Sequence, residues 1–167
     1  MFLSLPEING RQGLKLGNRS KNLVIGIGNE YRHDDAVGLY IVRELKKRKL
    51  LCCDIKESPG EGTYLMDSWL ARDKVIVVDA VQSQSKPGKI HRIDTQNTEI
   101  PDDWFKSSSH LFSLPQAIKL SQTLGSLPKE LIIYGIEGDL FSTGTEMSPA
   151  VLDSTETLMG MIISELS

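Results

Sequence analysis

Residues 75–79 read Val-Ile-Val-Val-Asp and contain the strongest strand signal in the chain. A run that is apolar on both faces is typical of a central strand in a mostly parallel sheet, because helices cover both faces of such sheets. The acid Asp79 directly follows the run, and a carboxylate is costly to bury unless it is paired or binds a cation. We therefore expect a central strand that ends at Val78 and places a functional acid at its carboxyl end.

Working outward from this strand, apolar periodicity alternates between the strand and the helix pattern on both sides. Residues 23–27 form a short apolar run that ends in a glycine turn, and the last helix is predicted to start with Ser148 as N-cap and Pro149 at its first position. The remaining elements are predicted as strands at 51–57, 89–93 and 131–136 and as helices at 35–49, 63–70 and 113–124. This alternation predicts an α/β fold, a three-layer sandwich with a twisted, mostly parallel central sheet flanked by helices.

The length of 167 residues suits one domain, which we assign to residues 22–167, with residues 1–21 as an N-terminal tail or lead-in. The net charge of −3 argues against a nucleic-acid binder held by phosphate contacts. The adjacent Cys52 and Cys53 exclude a disulfide framework, and neither a membrane span nor a secretory signal is found. We expect a cytoplasmic protein.

In open α/β sheets, ligands bind beyond the carboxyl ends of the strands. Three polar segments are predicted to meet there: the loop 28–35, the segment that begins at Asp79, and residues 107–110. Asp34 and Asp35 lie at a predicted helix N-terminus, which favours carboxylates. We expect one of them to cap the helix and the other to point into the cleft.

Asp35, Asp79 and His110 form a possible ligand set from three separate loops. Two carboxylates and an imidazole suit a divalent ion such as zinc or nickel, with positions left open for water or substrate. His33 and His91 are predicted to be packing residues. The residues alone predict a cation site without naming a reaction.

Two other site types fit the sequence poorly. The pair Gly26 and Gly28 after a strand is similar to a dinucleotide fingerprint, but Tyr31 replaces the third glycine. Acids also crowd the phosphate position, where they would repel a pyrophosphate. A serine hydrolase would need a Gly-x-Ser-x-Gly elbow, which the sequence lacks.

Four motifs in this order resemble those of the hydrogenase maturation endopeptidases, which process the large subunit of nickel–iron hydrogenases. The first joins 23–29 (LVIGIGN) to 32–38 (RHDDAVG), and the others are 77–80 (VVDA), 109–115 (SHLFSLP) and 134–137 (YGIE). The resemblance implies an endopeptidase that removes a C-terminal extension from the large-subunit precursor after nickel insertion.

The resemblance also implies roles for particular residues. Nickel, carried by the substrate, would bind to Asp35, Asp79 and His110, and zinc or another divalent cation could occupy the same set. Catalytic roles fall to Asp34, Asp35 and Asp79, with Asp34 or Asp35 as an alternative general base. The candidate substrate-binding residues are Gly28, Asn29, Gly60 and Gly62.

Two alternative functions are compatible with the same motifs. A nickel-checking chaperone of the large subunit would bind the precursor without cutting it. An α/β peptidase with a different substrate would keep the fold and the chemistry. Neither alternative involves nucleic acid or a membrane span.

Overall fold

Five strands form one sheet in the computed structural model, which describes residues 20–105 and 111–167. The strands are β1 (Asn22–Ile27), β2 (Asp54–Ser58), β3 (Lys74–Val81), β4 (Ile90–Asp94) and β5 (Glu130–Glu137). They lie in the order β2-β1-β3-β5-β4. The pairings of β1 with β2, β1 with β3 and β3 with β5 are parallel, whereas β4 is an antiparallel edge strand.

Helices cover both faces of the sheet, as the sequence predicted. They are α1 (Val37–Lys47), α2 (Gly62–Trp69), α3 (Leu114–Thr123) and α4 (Pro149–Leu166), and a short 3₁₀ helix, His33–Ala36, precedes α1. Apolar residues of α1 and α4 share one core layer, and those of α2 and α3 share the other. The three-layer α/β prediction is therefore confirmed. Within the described ranges, no helix is long and apolar enough to cross a membrane.

Strand β3 has the central position that its sequence predicted. Ile76 and Val78 pack into the layer of α1 and α4, while Val75 and Val77 pack into the opposite layer. All four side chains are fully buried. Burial of each contributes about 1.5–3 kcal/mol to folding, which explains why this run dominates the local signal.

The predicted ends of two strands are wrong. β3 continues to Val81, so Asp79 lies inside the strand and is opposite Gly135. The reason is that β5 extends to Glu137 and offers backbone partners for the extra residues. β2 begins at Asp54, three residues later than expected, because the pairing of β1 with β2 starts at Leu23 and Asp54.

The expected aspartate cap of the first long helix is also wrong. α1 begins after Ala36, and both Asp34 and Asp35 lie in the preceding 3₁₀ helix. The side chain of Asp34 instead accepts hydrogen bonds from the loop before α4. The predicted start of α4 at Ser148 and Pro149 is confirmed.

Candidate acidic site at the carboxyl edge of the sheet

The strand order places a crevice at the carboxyl ends of β1 and β3. The chain leaves β1 toward β2 on one side, and it leaves β3 toward β4 on the other. Such a switch point is where open α/β sheets bind ligands. Asp35 follows β1 and Asp79 lies near the end of β3, so both acids belong to this edge.

Two glycines allow the first loop, residues 28–35, to lie directly against the edge of the sheet. A Cβ atom on Gly38 would be 2.1 Å from the carbonyl oxygen of Ile27 and 2.4 Å from that of Val78. A Cβ atom on Gly28 would be 2.0 Å from the carbonyl oxygen of Asp35. These close approaches bring the 3₁₀ helix over the junction of β1 and β3, with Asp35 above that junction.

Asp35 and Asp79 form a buried pair of carboxylates. Their residues are only 6% and 3% exposed. Burial raises the pKa of Asp79 well above its usual value, and the charge of Asp35 raises it further. The backbone N–H of Ala80 donates to Asp79 Oδ1 at 2.8 Å and opposes this shift only in part. The pair therefore favours either a bound proton or a divalent cation, and its hard oxygen donors fit zinc or nickel if an imidazole joins them.

His110, the third predicted ligand, lies outside the described residues. The segments on either side are attached to the carboxyl edge: Gln82 N–H donates to the carbonyl of Trp104, and Gly62 N–H donates to the carbonyl of Phe112. Within 20–105 and 111–167, no group of three or more His, Cys, Asp and Glu residues could hold a metal. The set of three ligands therefore stays a prediction.

Asp34 differs sharply from its neighbour, because its carboxylate is fully buried and already accepts four hydrogen bonds. Oδ2 accepts from the N–H groups of Asp139 at 2.8 Å and Leu140 at 2.9 Å, and from Ser148 Oγ at 2.9 Å. Oδ1 accepts from Ser148 N–H at 2.6 Å. Burial alone would raise the pKa of Asp34, but these bonds outweigh it and lower the pKa. A lowered pKa makes the carboxylate a weaker base, and the predicted catalytic role of Asp34 stays a prediction.

The predicted substrate loop is held by its own hydrogen bonds. Ser58 Oγ accepts from Gly60 N–H at 3.0 Å, and Gly60 adopts a φ of +92° that favours glycine. The side chain of Glu61 caps α2 by accepting from the N–H groups of Thr63 and Tyr64. A Cβ atom on Gly62 would be 2.5 Å from the ring of Phe112. Backbone conformation explains Gly60 and packing against Phe112 explains Gly62. A role of either in substrate binding stays a prediction, as it does for Gly28 and Asn29.

The two described histidines make local structural contacts. His33 Nδ1 lies 2.7 Å from the carbonyl oxygen of Glu146. His91 Nε2 lies 3.1 Å from Glu137 Oε2, and the ring is 4.7 Å from that of Trp104.

Glu137 and Ser148 are residues whose part at this edge sequence reasoning missed. Glu137 is buried and accepts hydrogen bonds from the backbone and the hydroxyl of Ser83, so it holds the loop that follows β3. Its signal was available in the sequence, since it directly follows an apolar run as Asp79 does. Ser148 was predicted only as a helix cap, and no local pattern shows that its hydroxyl donates to Asp34.

Comparison with known proteins gives a consistent result. A family model described as HycI, hydrogenase maturation protease, matches residues 39–165, well over half of the chain. The chain is 27% identical over 150 residues to "Hydrogenase expression/formation protein HupD" of Thiocapsa roseopersicina, with 87% of this chain and 67% of that relative covered. It is 26% identical over 148 residues to "Hydrogenase 2 maturation protease" of Escherichia coli, with 86% and 89% covered.

A solved structure shows the same fold. The hydrogenase maturating endopeptidase HybD from E. coli superposes with a TM-score of 0.74 at 22% identity, and the match covers 87% of this chain and 91% of that one.

Proposed function

The chain belongs to the hydrogenase maturation protease family, and from that premise we propose that it is an endopeptidase that removes the C-terminal extension of a nickel–iron hydrogenase large-subunit precursor after nickel insertion. The observation that carries the proposal is the buried pair of Asp35 and Asp79 at the switch point of the sheet. A protein whose fold is complete without this pair gains nothing in stability from placing two mutually repelling acids there.

Nickel already held by the precursor is the natural partner of this pair. A cation beside Asp35 and Asp79 would remove the repulsion that raises the pKa of Asp79. We assign His110 as the third ligand on the basis of the motif at 109–115. Because such a set leaves coordination positions open, it can bind a metal whose other ligands come from the precursor. Only the nickel-loaded precursor would then be recognised.

Hydrolysis needs a group that moves a proton between water and the leaving amine. Water adds to the carbonyl carbon, the C–N bond breaks, and the amine leaves with a proton. Asp35 or Asp79 can accept the proton from water and return it to the amine, as a positioned general base does. A zinc or other divalent ion at the same residues would supply a Lewis acid.

The two cysteines bear on where this reaction would occur. Cys52 and Cys53 are both free thiols, which is typical of a protein in a reducing compartment. We therefore propose the cytoplasm as the location.

The decisive experiment incubates the protein with nickel-loaded and nickel-free precursor and measures the intact mass of each. We expect the loaded precursor to lose a C-terminal peptide and the nickel-free precursor to keep its mass. Unchanged mass of authentic loaded precursor would refute the proposal. A stable complex without cleavage would favour the nickel-checking chaperone instead.

A further inference from the structure

We infer that Asp34 is a positioning residue: its carboxylate fastens the loop between β5 and α4, residues 138–148, to the loop that carries Asp35, and so holds Asp35 beside Asp79. This inference rests on the proposed function, because the property that it explains is the geometry of the peptidase site. It gives Asp34 a role different from that of the acid next to it.

The four hydrogen bonds of Asp34 reach both ends of the 138–148 loop. Asp139 and Leu140 donate from its beginning, and Ser148 donates from its end with both its N–H and its hydroxyl. The carboxylate of Asp34 therefore joins the two ends of the 138–148 loop and attaches them to the first loop. Ser148 is also the N-cap of α4, so the carboxylate lies at the positive end of that helix.

Backbone hydrogen bonds join the same two loops and extend the contact on both sides of Asp34. Asp34 N–H donates to the carbonyl of Leu140 at 3.0 Å, and His33 N–H donates to that of Gly144 at 2.8 Å. Gly144 N–H donates in turn to the carbonyl of Tyr31 at 2.9 Å. The residues directly before Asp35 are thus part of one hydrogen-bonded unit with the 138–148 loop.

The site needs such an anchor because Asp35 lies in a 3₁₀ helix of only four residues, whose contacts with the 138–148 loop hold it in place. If the first loop were loose, Asp35 would no longer be held beside Asp79. A displacement of about 1 Å in a catalytic group can cost on the order of 100-fold in rate. Asp34 acts through its neighbour, which is proposed both to bind the nickel of the precursor and to serve the reaction, so its loss is expected to lower kcat/KM.

Two substitutions weaken the anchor to different degrees. In Asp34→Asn, the better orientation of the amide keeps three of the four hydrogen bonds, but its NH₂ then faces the N–H of Ser148, so two donors meet. Ser148→Ala removes only the hydroxyl bond and leaves the backbone bond in place. Asp153→Asn is the matched control, since it removes an exposed acid from α4.

The test measures kcat and KM for processing of the nickel-loaded precursor, together with hydrogen–deuterium exchange of the full-length protein. For Asp34→Asn we expect kcat/KM to fall on the order of 100-fold, with faster exchange confined to residues 29–36 and 138–148. Ser148→Ala should lose less than about tenfold. Asp153→Asn should match the wild type in both measurements.

The outcomes separate this inference from the proposed function. A wild-type kcat/KM in Asp34→Asn overturns the inference, and so does faster exchange throughout the molecule, which would indicate a merely structural role. If the wild type itself does not cut the loaded precursor, the proposed function fails. Hydrogen–deuterium exchange then still decides whether Asp34 holds the two loops together. If Asp34→Asn leaves the exchange rates of residues 29–36 unchanged, this part of the inference is overturned as well.

Discussion

Replacing Asp79 by asparagine should make the metal-free protein more stable at neutral pH and at the same time abolish processing. The amide has the shape of the carboxyl group, and its oxygen can still accept the hydrogen bond from Ala80 N–H. What it removes is a buried charge that lies near the charge of Asp35. Stability and activity are therefore expected to change in opposite directions.

The magnitude follows from proton linkage. The pKa of Asp79 in the folded protein is raised above the value of 3.8 that we take for the unfolded chain, so the folded state binds more protons between these two values. The associated stability is present below pH 3.8 and is lost as the pH rises through the folded pKa. One such group changes the free energy of unfolding by at most about 1.4 kcal/mol per pH unit. Asp79→Asn lacks this loss of stability. Its free energy of unfolding should therefore increasingly exceed that of the wild type as the pH rises from 3.8 to the folded pKa of Asp79, and the difference should then level off.

Urea unfolding between pH 4 and pH 8 measures this difference, with the fluorescence of the fully buried Trp69 as the probe. Asp153→Asn serves as the control for removing one exposed acid. A stability difference between Asp79→Asn and the wild type that does not vary with pH would refute the reasoning. Processing by the more stable variant at the wild-type rate would refute the assignment of Asp79 to the site.

Two further predictions concern packing and thiol reactivity. Gly38→Ala should lower the free energy of unfolding in urea by about 1–3 kcal/mol, since its Cβ would lie 2.1 and 2.4 Å from two carbonyl oxygens. Gly160→Ala is the control in α4: its Cβ would meet open space, so it should raise the free energy of unfolding by about 0.5–1 kcal/mol. Equal effects of the two substitutions would contradict the close approach at Gly38. Cys52 is exposed, whereas burial is the main cause that raises the pKa of Cys53 to about 12. A thiol reagent at pH 8 should therefore modify one thiol in the native protein and two in urea. Rapid modification of both thiols in the native protein would contradict the burial of Cys53.

The parts of the fold that could be predicted are those with a local cause. Residues 75–78 read as a central strand because an apolar run on both faces is stable only between two helical layers. Pro149 at the start of α4 fixes its own backbone angle, so its position was also predictable. The ends of β2 and β3 were not, because a strand ends where its neighbour stops offering hydrogen bonds, and those neighbours are distant in the chain.

The candidate site divides in the same way. The sequence by itself determined that acids follow two strands of an α/β sheet, and the order of the elements brought Asp35 and Asp79 to one edge. The sequence also nominated Asp35 for the pair with Asp79, but only the tertiary structure showed what its neighbour Asp34 contacts. The groups that surround Asp34 lie 105 to 114 residues further along the chain, and they donate four hydrogen bonds to its carboxylate. The different surroundings of these two neighbouring aspartates could not be predicted, because hydrogen bonds to a distant loop leave no pattern in the local sequence.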